Sequence, residues 1–466
     1  MDSFASLAEL AGSLAHRDFT SVELAEHYLD RIDSSNGRLH AFVSVDRDGA
    51  LRAASEADRR RATRQSLGAL DGLPVALKDL FDIEGQVTTC GSAAWRNRRS
   101  TGTAAVAERL RAAGMVLLGK THMVEFAFGL WGANPLMGTP WNPWDLKRHR
   151  IPGGSSSGAA VAVAAGLAPA AIGSDTGGSV RIPASLTGIT GLKTTSGLIS
   201  MHNALPLSRT LDTVGPMCRT VLDAAWLTSA LTRDDARGAK MLDTATRWDD
   251  TDATAPVKNL SGVRIIALHE RDFSTPVHAD VLDAFNQARR VLQILGAQVD
   301  ECTFPFDLAE LGRKNGRITA AEAWSVHREY IEDPSLEIGP SVRARVISGR
   351  SICDSEYETN RADQRRQAAI WRDWLSSADA LLTPTLPIVA CPLESIDEQS
   401  ISLGTFVRAA NYLGACALSL PAGFSADGLP IGLQLIAKPF DEAILVRIGH
   451  AFQGVTDWHR RMPPAP

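Results

Sequence analysis

Two glycine-rich segments carry the serines with the most chemical promise. One reads Pro152-Gly153-Gly154-Ser155-Ser156-Ser157-Gly158, the other Gly173-Ser174-Asp175-Thr176-Gly177-Gly178-Ser179-Val180-Arg181. Glycines permit close backbone approach and uncommon dihedrals, so N–H groups in such loops can converge on a developing anion while a nearby hydroxyl attacks. Ser155 and Ser179, 24 residues apart, are the candidate hydroxyls. Lysine is scarce, eight of the 48 basic residues, which draws attention to the one in Lys78-Asp79. Three other readings stand beside this one. Both loops can be ordinary turns. They can hold a phosphate, although neither has GxxxxGK and neither has GxGxxG after a strand. Gly154-Ser155-Ser156-Ser157-Gly158 also matches the letters of a nucleophile elbow centred on Ser156, but no clear strand enters through Pro152-Gly153, and a triad histidine would have to come from elsewhere.

The elements that must position these loops alternate along the chain. Val22, Leu24, Ala25, Tyr28, Leu29 and Ile32 recur at helical spacing, and Thr20 with Glu23 forms a capping box, which predicts a helix over 21–34. A second helix is expected over 51–65. Residues 73–79 read as a short apolar strand ending in Lys78-Asp79, followed by a helix within 101–113, a stop at Gly114 and a strand over 115–118. Strand, helix, strand is the pattern of a parallel sheet. It recurs over 262–268, 277–295, 297–299 and 378–382, with a late strand at 429–436 and a closing helix at 442–453. Between the two glycine-rich loops the alanine-rich stretch reads as one buried helix. The polar residues 234–258 read as a surface connection, and 305–375 as polar helices covering one end of the sheet. A single domain over 1–466 is expected.

With 466 residues, 44% hydrophobic and 22% charged, the chain is neither disordered throughout nor collagen-like nor a coiled coil. A formal charge of -5 shows no sign of a phosphate-backbone surface, so nucleic acid is not an expected partner. The six cysteines are scattered without a CxxC pair, which points to a reducing compartment and away from a zinc cluster. The N-terminus lacks a secretory signal. The most apolar run, 159–173, is interrupted by Gly166 and Pro169 and is shorter than the roughly 20 residues of a membrane span, so no membrane partner and a cytoplasmic location are expected.

An ordered set of motifs resembles the amidase signature family. It comprises Lys78-Asp79, Gly153-Gly154-Ser155-Ser156, Asp175 to Ala184, Gly188-Ile189-Thr190-Gly191-Leu192-Lys193, Leu211 to Pro216, Asn411, Pro421-Ala422-Gly423 and Gly428 to Gln434. The resemblance implies an α/β fold with a central, twisted, mixed sheet flanked by helices. It also implies a triad of Lys78, Ser155 and Ser179, with a cis peptide between Gly154 and Ser155. In that arrangement a buried, neutral Lys78 takes a proton from Ser155, and Ser155 takes one from the nucleophile Ser179. Backbone N–H groups of Thr176, Gly177, Gly178 and Ser179 would hold the oxyanion. Ser156 would hydrogen-bond within the site, Asp175 and Arg181 would brace the second loop, and neither metal nor organic cofactor is required. Ser157 departs from the family's usual glycine and bears on local backbone shape.

The pocket is read from an aromatic concentration: Met123, Phe126, Trp131, Trp141 and Trp144 are expected to shape an apolar acyl site. The expected function is therefore hydrolysis of a small apolar or aryl carboxamide to an acid plus ammonia or an amine. The expected partner is that small molecule alone, with a homodimer left open. The alternative is the glutaminase subunit of a tRNA-dependent amidotransferase. That branch of the family usually carries a Gly-Tyr-Tyr-Asp-Ala-Tyr-Tyr type segment, which Val346 to Glu358 lacks. Hydrazide, carbamate or ester cleavage also fits an acyl-enzyme.

Overall fold

The structure is a computed structural model and describes residues 1–232 and 259–465. The connection expected over 234–258 lies outside the described residues. An 11-stranded sheet runs through the molecule in the order β1-β3-β2-β4-β6-β5-β10-β11-β9-β7-β8. Its members are β1 (Phe42–Val45), β2 (Pro74–Lys78), β3 (Val116–Thr121), β4 (Ala170–Asp175), β5 (Thr190–Lys193), β6 (Thr213–Cys218), β7 (Arg264–Ala267), β8 (Gln298–Asp300), β9 (Ala380–Pro384), β10 (Cys416–Phe424) and β11 (Pro430–Ala437). β2 pairs in parallel with β3 and β4, and β7 with β8 and β9, whereas the strands between these two groups pair antiparallel. The expected mixed sheet with flanking helices is what the chain forms.

Most elements with a clear period fall where that period places them. The first of these helices extends to Ser21–Leu39, capped by Thr20 and Glu23 as expected, and the closing helix is Glu442–Gln453. The alanine-rich stretch differs. It holds a helix, Ser157–Ala164, and then the strand β4, separated by Gly166 at φ 65 and by Pro169. Every residue of the helix and the strand is buried. With no polar face in either, the sequence has no alternation by which to tell 3.6 from 2. The strands β1, β5, β6 and β10, and the helix Leu7–His16, were also not foreseen.

One hydrophobic core draws on residues from Leu7 to Phe452, those of β2, β4 and β5 among them. A second cluster packs Trp371, Phe406 and Tyr412 under the helices Leu308–Ile331 and Asp354–Trp374. No helix among the described residues is long and apolar enough to cross a membrane.

Candidate active site

β2 and β4 lie side by side and parallel, Ala76 opposite Ala171 and Leu77 opposite Ile172, so their C-terminal ends open on the same edge. There Lys78 Nζ donates to Ser155 Oγ at 2.8 Å and to Ser174 Oγ at 2.9 Å, with Lys78 and Ser155 wholly buried. Ser155 follows a cis Gly154–Ser155 peptide, and its carbonyl accepts from Val124 N at 3.1 Å. Ser179 sits in the turn between β4 and the helix Arg181–Thr187. Its carbonyl accepts from Ser156 N at 3.2 Å, which ties the two serine loops together. No hydrogen bond joins Ser155 Oγ to Ser179 Oγ among the described residues. Ser174 was missed in the sequence. The signal was present in Gly173-Ser174-Asp175, because the strand next to a buried lysine must offer it an acceptor.

Burial pushes the Lys78 ammonium down to about 7, with Asp212, Asp175 and Cys90 pulling the other way. A lysine in that range is partly neutral near pH 7 and can accept a proton. Asp212, also buried, is pushed up to about 6 despite hydrogen bonds from Thr176 Oγ1, Ser208 N and Leu207 N.

The turn that carries Ser179 is wrapped around the Asp175 side chain, which accepts from Gly178 N at 2.8 Å and Val180 N at 3.1 Å. Arg181 forks onto the same carboxylate at 2.9 and 3.0 Å, both side chains being fully buried. Burial alone would raise the Asp175 carboxyl, but Arg181, with Lys193 and Asn411, holds it well below the usual carboxylate range. The guanidinium also donates to Asn411 Oδ1, Gln434 Oε1 and the Val407 carbonyl at 2.6–2.8 Å. The motif residues Asp175, Arg181, Asn411 and Gln434, dispersed over the chain, thus form one network. Ser156 Oγ bonds weakly to the Ser174 backbone, at 3.3 and 3.4 Å.

Thr176, Gly177 and Ser179 line a cavity of about 190 Å³, and their N–H groups make no hydrogen bond among the described residues. These donors are free to meet an oxyanion. Gly178 differs from the expectation, since its N–H is already taken by Asp175. Its φ of 117 and a Cβ position only 2.4 Å from Val407 Cγ2 admit glycine alone.

The far wall of the cavity comes from distant segments: Asn315 and Thr319 on the helix Leu308–Ile331, Arg345 on Pro340–Ser348, and Arg408. Of the five residues expected to build an apolar pocket, only Trp131 borders it. Met123 is fully buried in the main core, and Phe126 stacks on His327 with ring centroids 5.2 Å apart. Trp141 stacks on His149, while Trp144 packs on Phe424 and donates its indole N–H to the Thr187 carbonyl. Their aromatic surfaces are used in packing. The two guanidiniums that do line the cavity were not foreseen, because nothing in their local sequence separates them from the chain's other arginines.

The family model for amidases matches residues 23–446. The chain belongs to the amidase family. It is an enzyme that hydrolyses amide carbon–nitrogen bonds. Over 501 residues it is 36% identical to the A subunit of the glutamyl-tRNA(Gln) amidotransferase of Ralstonia nicotianae, covering 99% of each chain. The native peptide amidase of Stenotrophomonas maltophilia superimposes with a TM-score of 0.83 at 30% identity, over 99% of this chain and 98% of that one. An s-triazine catabolic enzyme, described in a vestigial protein complex, gives 0.85 at 30% identity over 96% and 98%. The first of these corrects the expectation of a lone or homodimeric amidase with no nucleic acid, since that relative is by name one subunit of an enzyme for a glutamyl-tRNA. Net charge misled because it sums the whole surface, and so is blind to a local patch or to charge that a partner protein supplies.

Proposed function

We propose that this amidase is the amide-hydrolysing subunit of an amidotransferase-type assembly, releasing ammonia from a carboxamide such as that of glutamine through a Ser179 acyl-enzyme. The carrying observation is similarity over the full length to the amidotransferase relative, supported by a cavity to which Arg345 and Arg408 bring two guanidiniums beside the rings of Phe128 and Trp131. Neutral Lys78 accepts the Ser155 proton as Ser155 accepts that of Ser179. Ser179 Oγ then bonds to the carbonyl carbon, and the charge on oxygen is met by the free N–H groups of the Thr176–Ser179 turn. As the carbon–nitrogen bond breaks, Ser155 returns the proton to nitrogen and ammonia leaves. Water enters by the reverse of this relay, releasing the acid and restoring Ser179. Ser156, Asp175 and Arg181 hold the two loops in register, and the helices within 305–375 cover the site.

The test is ammonia release from glutamine, with the acyl-enzyme followed by intact mass, for the purified chain alone and with proteins that copurify. No mass increment on Ser179 with any carboxamide would refute this reading. The segment Val346 to Glu358, which lacks the tyrosine-rich run, favours a second reading in which the same acyl-enzyme forms from a carboxamide other than glutamine.

A further inference from the structure

Two arginines reach the cavity beside Ser179, and their situations differ. Arg345 is committed: it forks onto Glu398 at 2.6 and 2.7 Å and donates to the Phe128 carbonyl at 2.8 Å. The Arg408 guanidinium makes no hydrogen bond and no ion pair among the described residues, although the residue is only partly exposed and lines the cavity. An arginine without an acceptor in such a place is costly, since five N–H donors and a full charge go unanswered. The fully buried Arg181, by contrast, is saturated.

The path of the side chain is prepared. A Cβ at Gly404 would stand 2.7 Å from Arg408 Nε, one at Gly177 3.4 Å from Cγ, one at Gly312 3.7 Å from Cδ and one at Gly316 3.9 Å from Nη1. Glycines from three separate segments therefore border the side chain, Gly404 so closely that a Cβ there would collide with it and the other three at ordinary contact distance, and Gly177 stands two residues before the nucleophile. The position of Arg408 is also coupled to the catalytic turn. Arg181, which braces that turn, holds the Val407 carbonyl at 2.8 Å, and Gln434 holds the Phe406 carbonyl at 3.0 Å. Burial and the like charge of Arg345 both press on the guanidinium, opposed by Glu398, so an incoming anion relieves an existing repulsion.

We infer that Arg408 binds a carboxylate on the acyl part of the substrate, and that this enzyme selects carboxamides bearing that second, anionic group. The inference rests on the amidase reading of Ser179 and names the class of substrate that its cavity accepts. A guanidinium meets a carboxylate through two parallel N–H···O bonds, which orient as well as attract. The carboxamide would then lie toward Ser179 and the carboxylate toward the helix Leu308–Ile331.

Binding tests this without depending on turnover. In the Ser179→Ala background, calorimetry compares 4-carbamoylbutanoate with pentanamide, which has a similar chain and no charge. The carboxylate should bind at least about a hundredfold more tightly at low salt, Arg408→Met should remove that advantage, and Arg408→Lys should keep part of it while losing the fork. Pentanamide should bind Arg408→Met no more weakly than it binds the parent. Equal binding of the two amides, or a carboxylate preference that survives Arg408→Met with the fold intact by circular dichroism, overturns the inference. Should Arg408→Met fail to fold, the preference measured with Arg408 in place still decides: its absence refutes the carboxylate site. Turnover of the enzyme with Ser179 intact separates the two claims. An acyl-enzyme formed from pentanamide as readily as from the carboxylate keeps the amidase mechanism and refutes Arg408, whereas tight carboxylate binding without any acyl-enzyme keeps Arg408 and refutes the mechanism.

Discussion

Lys78 illustrates how the proton affinity of a single residue is set by what surrounds it. Fully buried, hydrogen-bonded to two serine hydroxyls and, among the described residues, without a carboxylate in contact, it falls to about 7. Since only the neutral amine can accept a proton, kcat/KM should rise with pH and level off with an apparent pKa near 7, a limb that disappears in Lys78→Met along with at least about a hundredfold of turnover. A pH–rate profile of ammonia release measures both. The same shift has a consequence for stability. The unfolded lysine keeps its ordinary value of 10.5, so between about 7 and 10.5 the unfolded chain binds the additional proton and stability rises with pH across that window. The change in urea midpoint from pH 7.5 to 9.5 should therefore be less positive in Lys78→Met than in the parent; an identical change would show that Lys78 is charged in the folded protein. Ser179→Ala should remove the acyl-enzyme mass altogether, and Ser155→Ala should slow its formation by about 10² to 10⁴.

The two serine loops owe their shape to elements that lie well apart in the chain. Asp175 closes the turn at the end of β4, and Arg181 locks that carboxylate to residues 407, 411 and 434. Breaking this pair from one side strands a buried charge, which costs about 3–5 kcal/mol. Arg181→Met should thus lower the denaturant midpoint sharply, and Arg181→Met combined with Asp175→Leu should be less damaging than the two single losses together, a comparison read from denaturant melts. Additive losses would show that the two side chains act separately. Within the turn, Gly178→Ala faces both a positive φ and the Val407 side chain. The turn must shift, and misplacing one oxyanion donor costs about 3 kcal/mol, so turnover should fall about a hundredfold with the global fold retained by circular dichroism.

Across the molecule, the main core gathers residues from both sides of 233–258, and β5 of the first part pairs with β10 of the second, Leu192 opposite Leu418. Each part alone would expose its share of this core and an open strand edge. Residues 1–232 and 259–466 expressed separately should therefore show no cooperative melt, whereas the whole chain melts in one transition; two cooperative fragments would mean two domains. Legible without any coordinates were the elements with a strong period, while the resemblance to the amidase signature family implied the mixed sheet and grouped Lys78, Ser155, Ser179, Asp175 and Arg181, residues too dispersed in the chain for local pattern alone to connect. The alanine-rich stretch could not be divided into helix and strand in the same way, since a run buried on every side has no polar phase to read. The character of the pocket emerged with the folded chain. Phe126 and Trp144 are drawn into packing by neighbours far away in the chain, Met123 by the main core and Trp141 by the nearby His149, while Arg345 and Arg408 arrive at the cavity from helices whose approach depends on the completed sheet. Side-chain type is written locally, but which side chains share a cavity depends on contacts between residues more than a hundred positions apart, and only tertiary packing brings these together.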